Sequence, residues 1–195
     1  MGLGVRCFAE NDQDLSAGGV RRMRSGRGAE LGSEGRRESI LLVEDFPGAA
    51  RQIVESIGRE YEILHLGAFD VARKLIEHVA FDHYIFDIDF PDTQADWLRF
   101  IHETIELRVD PSYIAGKYYN YGNGLRLFDA LRQAWGGDVH VLFQSGSVWG
   151  SYEEAVNRMK PQCPNISFLG KYPFLQQPLH YFQLSLPRRA GRPLS

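Results

Sequence analysis

Short apolar runs alternate with amphipathic segments along most of this chain, and that alternation narrows the fold more than any other feature. Ile40–Val43, Tyr61–Leu66, His83–Ile88, Val139–Phe143 and Ile166–Leu169 have the length of strands and are rich in β-branched and aromatic residues. Between them, Pro47–Arg59 carries Ile53, Val54 and Ile57 at helical spacing. Phe69–Val79 does the same with Val71, Ala72, Leu75, Ile76 and Val79, and Tyr152–Met159 reads as a further helix. Pro47 suits a first helical turn, where its missing N–H costs nothing. Runs that are apolar throughout belong to strands buried on both faces, so helices must cover both sides of the sheet. The expected fold class is α/β, a doubly wound five-stranded parallel sheet, with a short helix over Leu179–Leu184 closing it.

The segment from Pro91 to Gly137 is too long for one helix and its connections. It holds two amphipathic candidates. Gln94–Leu107 carries Trp97, Leu98, Ile101 and Ile105, and Gly124–Trp135 carries Leu125, Leu127, Phe128 and Leu131. Pro111–Gly124 lies between them, and its Gly and Asn residues favour turns. An insertion over about 92–122 therefore follows the third strand, and its tyrosines and Trp97 are placed to form a lid or simply to pack on the sheet.

The 195 residues, 44% of them hydrophobic, are ample for one domain. Residues 1–38 are rich in Gly, Arg, Ser and Glu and read as a disordered leader, with Arg21, Arg22, Arg24 and Arg27 solvated among acids. The domain spans 39–184, and 185–195 is a basic, proline-containing tail. A net charge of −3 gives no electrostatic case for direct DNA binding. Cys7 and Cys163 alone make no disulfide framework. No apolar run approaches the roughly 20 residues of a membrane span and no signal core opens the chain, so a cytoplasmic protein without membrane contact is expected.

Chemistry-bearing residues gather where the strands end. Glu44-Asp45 follows the first strand, Asp87 and Asp89 the third, Ser145 the fourth and Lys171 the fifth. Strand ends on one edge of a parallel sheet share a pocket. Carboxylates suit magnesium, an oxygen-seeking cation. An aspartate can attack phosphorus to give an aspartyl phosphate, and a lysine supplies a point charge for phosphoryl oxygens. Histidines at 65, 78, 83, 102, 140 and 180 show no ligand spacing and read as surface or core residues.

With those residues in place, the segment from about Ser39 to Leu184 resembles the receiver domain of bacterial two-component response regulators, which accept a phosphoryl group from a histidine kinase onto an aspartate. Glu44-Asp45 matches that family's acidic pair, and Asp87 its acceptor, with Pro91 four residues on. Ser145-Gly146 matches the hydroxyl and small residue after the fourth strand, Lys171 the lysine, and Phe168 the aromatic three positions before it. The resemblance implies a flavodoxin-like sheet in the order 2-1-3-4-5. It implies magnesium held by Glu44, Asp45, Asp87 and the backbone carbonyl of Asp89, with Asp87 accepting the phosphoryl group beside Lys171 and Ser145. Ser145 and Phe168 would then move as a switch. It further implies phosphorelay signalling by a stand-alone receiver, a phosphoprotein that is not a dedicated enzyme beyond self-phosphorylation and autodephosphorylation at Asp87. Its donor would be a histidine kinase or phosphotransfer protein, its reader an unidentified downstream protein, and homodimerisation through the fourth and fifth helices is a family expectation.

The chain departs from the pattern where Tyr172 separates Lys171 from Pro173, displacing by one residue the proline that usually follows a cis peptide in this family. Asp89 and the insertion are further departures. Two other readings remain open. One is a phosphorylation-independent pseudo-receiver that works as an interaction module. The other is a phosphatase similar to the haloacid-dehalogenase family, whose Asp-x-Asp motif Asp87-Ile88-Asp89 resembles; there the second Asp acts as general acid and base. Glu44-Asp45 on an earlier strand, and the lack of any acid after Lys171, favour the receiver order.

Overall fold

The apolar runs pair side by side. A computed structural model of the chain describes residues 36–146 and 151–186. Its strands are β1 (Ser39–Val43), β2 (Glu62–Leu66), β3 (His83–Asp87), β4 (Phe90–Pro91), β5 (Tyr119–Asn120), β6 (His140–Ser145) and β7 (Ile166–Gly170). Five of them form one parallel sheet in the order β2-β1-β3-β6-β7, while β4 and β5 pair antiparallel as a separate ribbon. With the ribbon set aside, this is the expected 2-1-3-4-5 order of the flavodoxin-like class.

Helices α1 (Pro47–Ile57), α2 (Phe69–Ile76), α3 (Gln94–Ile101), α4 (Pro111–Tyr118), α5 (Asn123–Trp135), α6 (Ser151–Met159), α7 (Lys171–Gln176) and α8 (Pro178–Ser185) surround the sheet. On one face Leu41, Val43, Tyr84, Phe86, Val141 and Phe143 pack under α2, α5 and α6. On the other, Ile40, Leu42, Ile85 and Leu142 pack under α1, α7 and α8 through Ile53, Phe174 and Phe182. Alternate residues of one strand thus feed opposite cores, which is why these strands read as unbroken apolar runs. Each fully buried side chain of this size is worth about 1.5–3 kcal/mol.

Several helical expectations are corrected. The second helix stops at Ile76, where backbone bonds from His78 and Val79 to the Leu75 carbonyl turn the chain, and Val79 is left exposed. Lys171–Gln176, not foreseen as a helix, opens a helical turn directly at the lysine. None of the described peptide bonds is cis, and Pro173 lies in the first turn of α7, where no N–H is required of it.

The insertion departs most. Helix α3 is capped by the Thr93 hydroxyl, which accepts from the Asp96 N–H at 3.1 Å, and it runs on into a π-helical turn over His102–Glu106. Its buried residue is Phe100, whereas Leu98 and Ile105, expected inside, are each 55% exposed. Phe100 is held by Ile114 and Tyr118 of α4, so the apolar partner of α3 is that helix. The π turn adds a residue to the helical repeat and rotates Ile105 away from the seam. Pro111–Gly124, expected as turns, instead forms α4 and then β5, with Pro111 at the helix start.

The Arg37 guanidinium bonds the Gly58 carbonyl at 3.2 Å and the Glu38 carbonyl accepts from the Glu62 N–H at 2.9 Å. The rest of the leader and the tail from residue 187 lie outside the described residues. Among the described residues no helix is long and apolar enough to cross a membrane.

Candidate functional site

Parallel strands bring their carboxyl ends to one edge of the sheet, and the residues there converge. Glu44 and Asp45 follow β1, Asp87 ends β3, Ser145 ends β6, and Lys171 follows β7. Glu44, Asp45 and Asp87 are 0%, 1% and 3% exposed. One oxygen from each lies within 4.8 Å of the others, an arrangement able to hold a metal ion. The Lys171 ammonium donates to Glu44 Oε1 at 2.8 Å and to Asp87 Oδ2. Glu44 Oε1 also accepts the Phe46 N–H at 3.0 Å and its Oε2 the Gln144 side-chain amide at 2.9 Å, while Asp87 Oδ1 accepts the Ile88 N–H at 2.7 Å.

Three buried carboxyl groups face one ammonium. Burial, offset in part by Lys171, pushes Glu44 up to about 8, with Asp87 and Asp45 adding repulsion. Burial and then the Asp87 charge push Asp45 up to about 7. Asp87 is raised as well, again by burial first, against the pull of Lys171. Burial opposes the Lys171 charge, but Asp87 and Glu44 outweigh it and hold the ammonium above its ordinary range. The cluster is short of positive charge. Asp45 Oδ1 is buried without a hydrogen-bond partner, an acceptor whose desolvation is uncompensated. A divalent cation satisfies both needs, and an all-oxygen donor set fits magnesium.

The insertion reaches back onto Asp45. The Trp97 indole donates to the Asp45 carbonyl at 2.8 Å, and the Tyr119 hydroxyl donates to Asp45 Oδ2. Gly67 makes the approach of Trp97 possible, since a Cβ there would lie 2.1 Å from the indole ring. The insertion thus closes over Asp45 more than over Asp87. Sequence reasoning placed Trp97 and the tyrosines near the site but did not single out Tyr119. That contact spans 74 positions in sequence, and no local pattern carries it. Gln144 was also missed; its position opposite Asp87 in the β3–β6 register is a signal that becomes readable once the strands are aligned.

The Asp89 carboxylate accepts the Gly122 N–H at 2.9 Å and the Tyr152 hydroxyl at 2.7 Å, tying the end of the insertion to α6. Ser145 is buried and registers with Gly170, the residue before Lys171. A Cβ on Gly146 would meet only the Lys171 side chain, at 3.8 Å. Phe168 registers with Phe143 and packs partly buried against the core under α2, α5 and α6.

Gly124 has no such freedom. A Cβ there would lie 2.2 Å from the Asp87 carbonyl oxygen and 2.9 Å from the Ile88 Cα, and its N–H bonds the Ile88 carbonyl at 2.9 Å. Gly124→Ala must therefore push α5 off the backbone that carries Asp87. We expect a loss of about 1–3 kcal/mol in urea unfolding. Wild-type stability in that variant would show that α5 yields without cost.

Solved structures share this architecture. The chain aligns with the BeF3-activated DrrB receiver domain at a TM-score of 0.50 and 11% identity, over 77% of this chain and 97% of that one. This chain has the receiver-domain fold. A Francisella response-regulator receiver domain aligns over 76% of this chain and 96% of its own, at 14% identity and a TM-score of 0.49. At such identities the likeness is one of fold, and residue roles rest on the geometry above. No family model matches the sequence, and no curated protein matches it either.

Proposed function

We propose that this chain works as a phosphorelay receiver, with Asp87 the phosphoacceptor and Glu44, Asp45, Asp87 and the Asp89 backbone carbonyl the magnesium ligands. One observation carries the reading: buried acids from β1 and β3 meet Lys171 at the edge where the strands end. Magnesium, when bound, supplies charge neutralisation for the acceptor carboxylate and the phosphoryl oxygens. The Asp87 carboxylate oxygen forms the new O–P bond, and the P–N bond of a phosphohistidine donor breaks with its electron pair left on the imidazole nitrogen. Lys171, now between Asp87 and Glu44, follows the charge onto the phosphoryl oxygens. The Ser145 hydroxyl donates to them, and Phe168 repacks with it. A histidine kinase or phosphotransfer protein is the donor and a protein reads the changed surface, in the cytoplasm and without direct DNA contact.

The Asp89 carboxylate speaks for a receiver over a phosphatase, because it is committed to Gly122 and Tyr152 and is not part of the acidic cluster. A phosphorylation-independent module is the second reading, favoured by Lys171 already bridging Glu44 and Asp87 and by Tyr119 already engaging Asp45.

Incubation with acetyl phosphate and magnesium, followed by intact mass, tests the proposal. A single phosphoryl adduct is expected in the wild type and none in Asp87→Ala. An adduct that persists in that variant, or none in the folded wild type at excess magnesium, rejects it.

A further inference from the structure

We propose that Tyr119 is a positioning residue for the cation: it holds Asp45 Oδ2 so that Oδ1 is the oxygen presented to magnesium. This deepens the receiver reading and rests on it. The two oxygens of Asp45 are treated differently. Oδ2 accepts the Tyr119 hydroxyl, while Oδ1 is buried without a partner in a residue 1% exposed. The other two acids each have both oxygens engaged, Glu44 by Phe46, Lys171 and Gln144, and Asp87 by Ile88 and Lys171. Asp45 Oδ1 is therefore the acceptor in the cluster that a cation meets without displacing a donor.

Tyr119 is not adventitious there. It lies on the ribbon strand β5, in register with Pro91 on β4, which leaves β3 a few residues after Asp87. Asn120 holds the next position by donating to Asp92 at 2.9 Å, and Asn123 donates to the Phe90 carbonyl at 2.8 Å. The Tyr119 ring packs 5.2 Å from Phe100, the buried centre of the insertion. The insertion thus builds a rigid arm whose end is one hydroxyl on one carboxylate. A partner that fixes a ligand's orientation typically changes metal affinity by about 10–100-fold when removed.

Isothermal titration calorimetry with magnesium alone separates the possibilities. Tyr119→Phe keeps the ring on Phe100 and removes only the hydroxyl, and it is expected to weaken magnesium binding by about tenfold or more. Tyr113→Phe, which loses a hydroxyl from an 85% exposed residue of the same insertion, is the control and keeps wild-type affinity. In the acetyl phosphate assay the Tyr119→Phe loss falls on the magnesium concentration needed for half-maximal rate, with the rate at saturating magnesium reduced far less. General loosening of the insertion would raise that concentration and lower the saturating rate as well. Wild-type affinity in Tyr119→Phe, or tighter binding, overturns the proposal while leaving the receiver reading intact. Absence of magnesium binding in the wild type overturns both. If Tyr119→Phe does not fold, Asn120→Ala, which removes the bond to Asp92, decides: weaker magnesium binding with the saturating rate kept supports the proposal, and unchanged binding or an equal loss of both refutes it.

Discussion

Replacing Lys171 with Met should cost about 3–5 kcal/mol of stability at pH 8 in the absence of divalent metal, the largest effect we expect from any single substitution in this chain. The lysine side chain is 17% exposed and bridges Glu44 and Asp87, both of them buried. A methionine fills the same volume but leaves two buried carboxylates without their cation. Because the folded pKa of Lys171 is raised, its contribution is fully present below its unfolded value of 10.5 and is lost only above that. The loss in the variant has a different pH dependence. Glu44 and Asp87 neutralise themselves by taking up protons as the pH falls, so the same substitution should cost much less at pH 5. Urea unfolding of both proteins at the two pH values, with a chelator present, measures this. An equal loss at pH 5 and pH 8 would show that Lys171 contributes packing alone.

The sequence made the sheet legible because strands buried on both faces cannot hide: Ile40–Val43 and His83–Asp87 have no solvent-facing side, so no regular polar alternation breaks the pattern. It made the acidic cluster and Lys171 legible for a related reason. Once strand ends are known, the topology alone puts Glu44, Asp45, Asp87 and Lys171 on one edge. What stayed hidden depends on contacts distant in sequence. Helix α4 has Gly116 in its middle and Asn120 just past its end, so local propensity argues for turns. Ile114 and Tyr118 packing on Phe100 overrides that preference. The two-residue strands β4 and β5 are too short for any periodicity to show. The Asp89 side chain faces Tyr152 because of a helix that arrives 63 positions later, and no reading of Asp87-Ile88-Asp89 alone would find it.

Without metal, stability should fall as the pH rises from about 4 to about 8, because the two raised carboxyl groups outweigh the one lowered histidine, and magnesium should remove most of that fall. Glu44 moves from 4.5 to about 8 on folding and Asp45 from 3.8 to about 7. A carboxyl with a raised folded pKa binds more protons folded than unfolded. Its contribution is present in full below the unfolded value and disappears as the pH climbs through the folded one. His140 runs the other way. Burial, and then His83 beside it, lower it from 6.5 to about 4, so folding keeps it neutral. The unfolded chain gains the proton first, and the histidine's own contribution is lost as the pH falls from 6.5 toward about 4. A cation at Asp45 binds the ionised acids, so its effect grows as the carboxyl contribution is lost. At pH 8 and a concentration one hundred times Kd, binding to the folded chain alone adds about 2.7 kcal/mol. For a domain of this size that is a rise in Tm of about 5–10 °C. At pH 5, where Glu44 and Asp45 hold their protons, the rise should nearly vanish. Thermal unfolding across pH 4–9 with and without magnesium reads the fall and its removal together. A magnesium shift as large at pH 5 as at pH 8 would place the ion somewhere other than on these carboxylates.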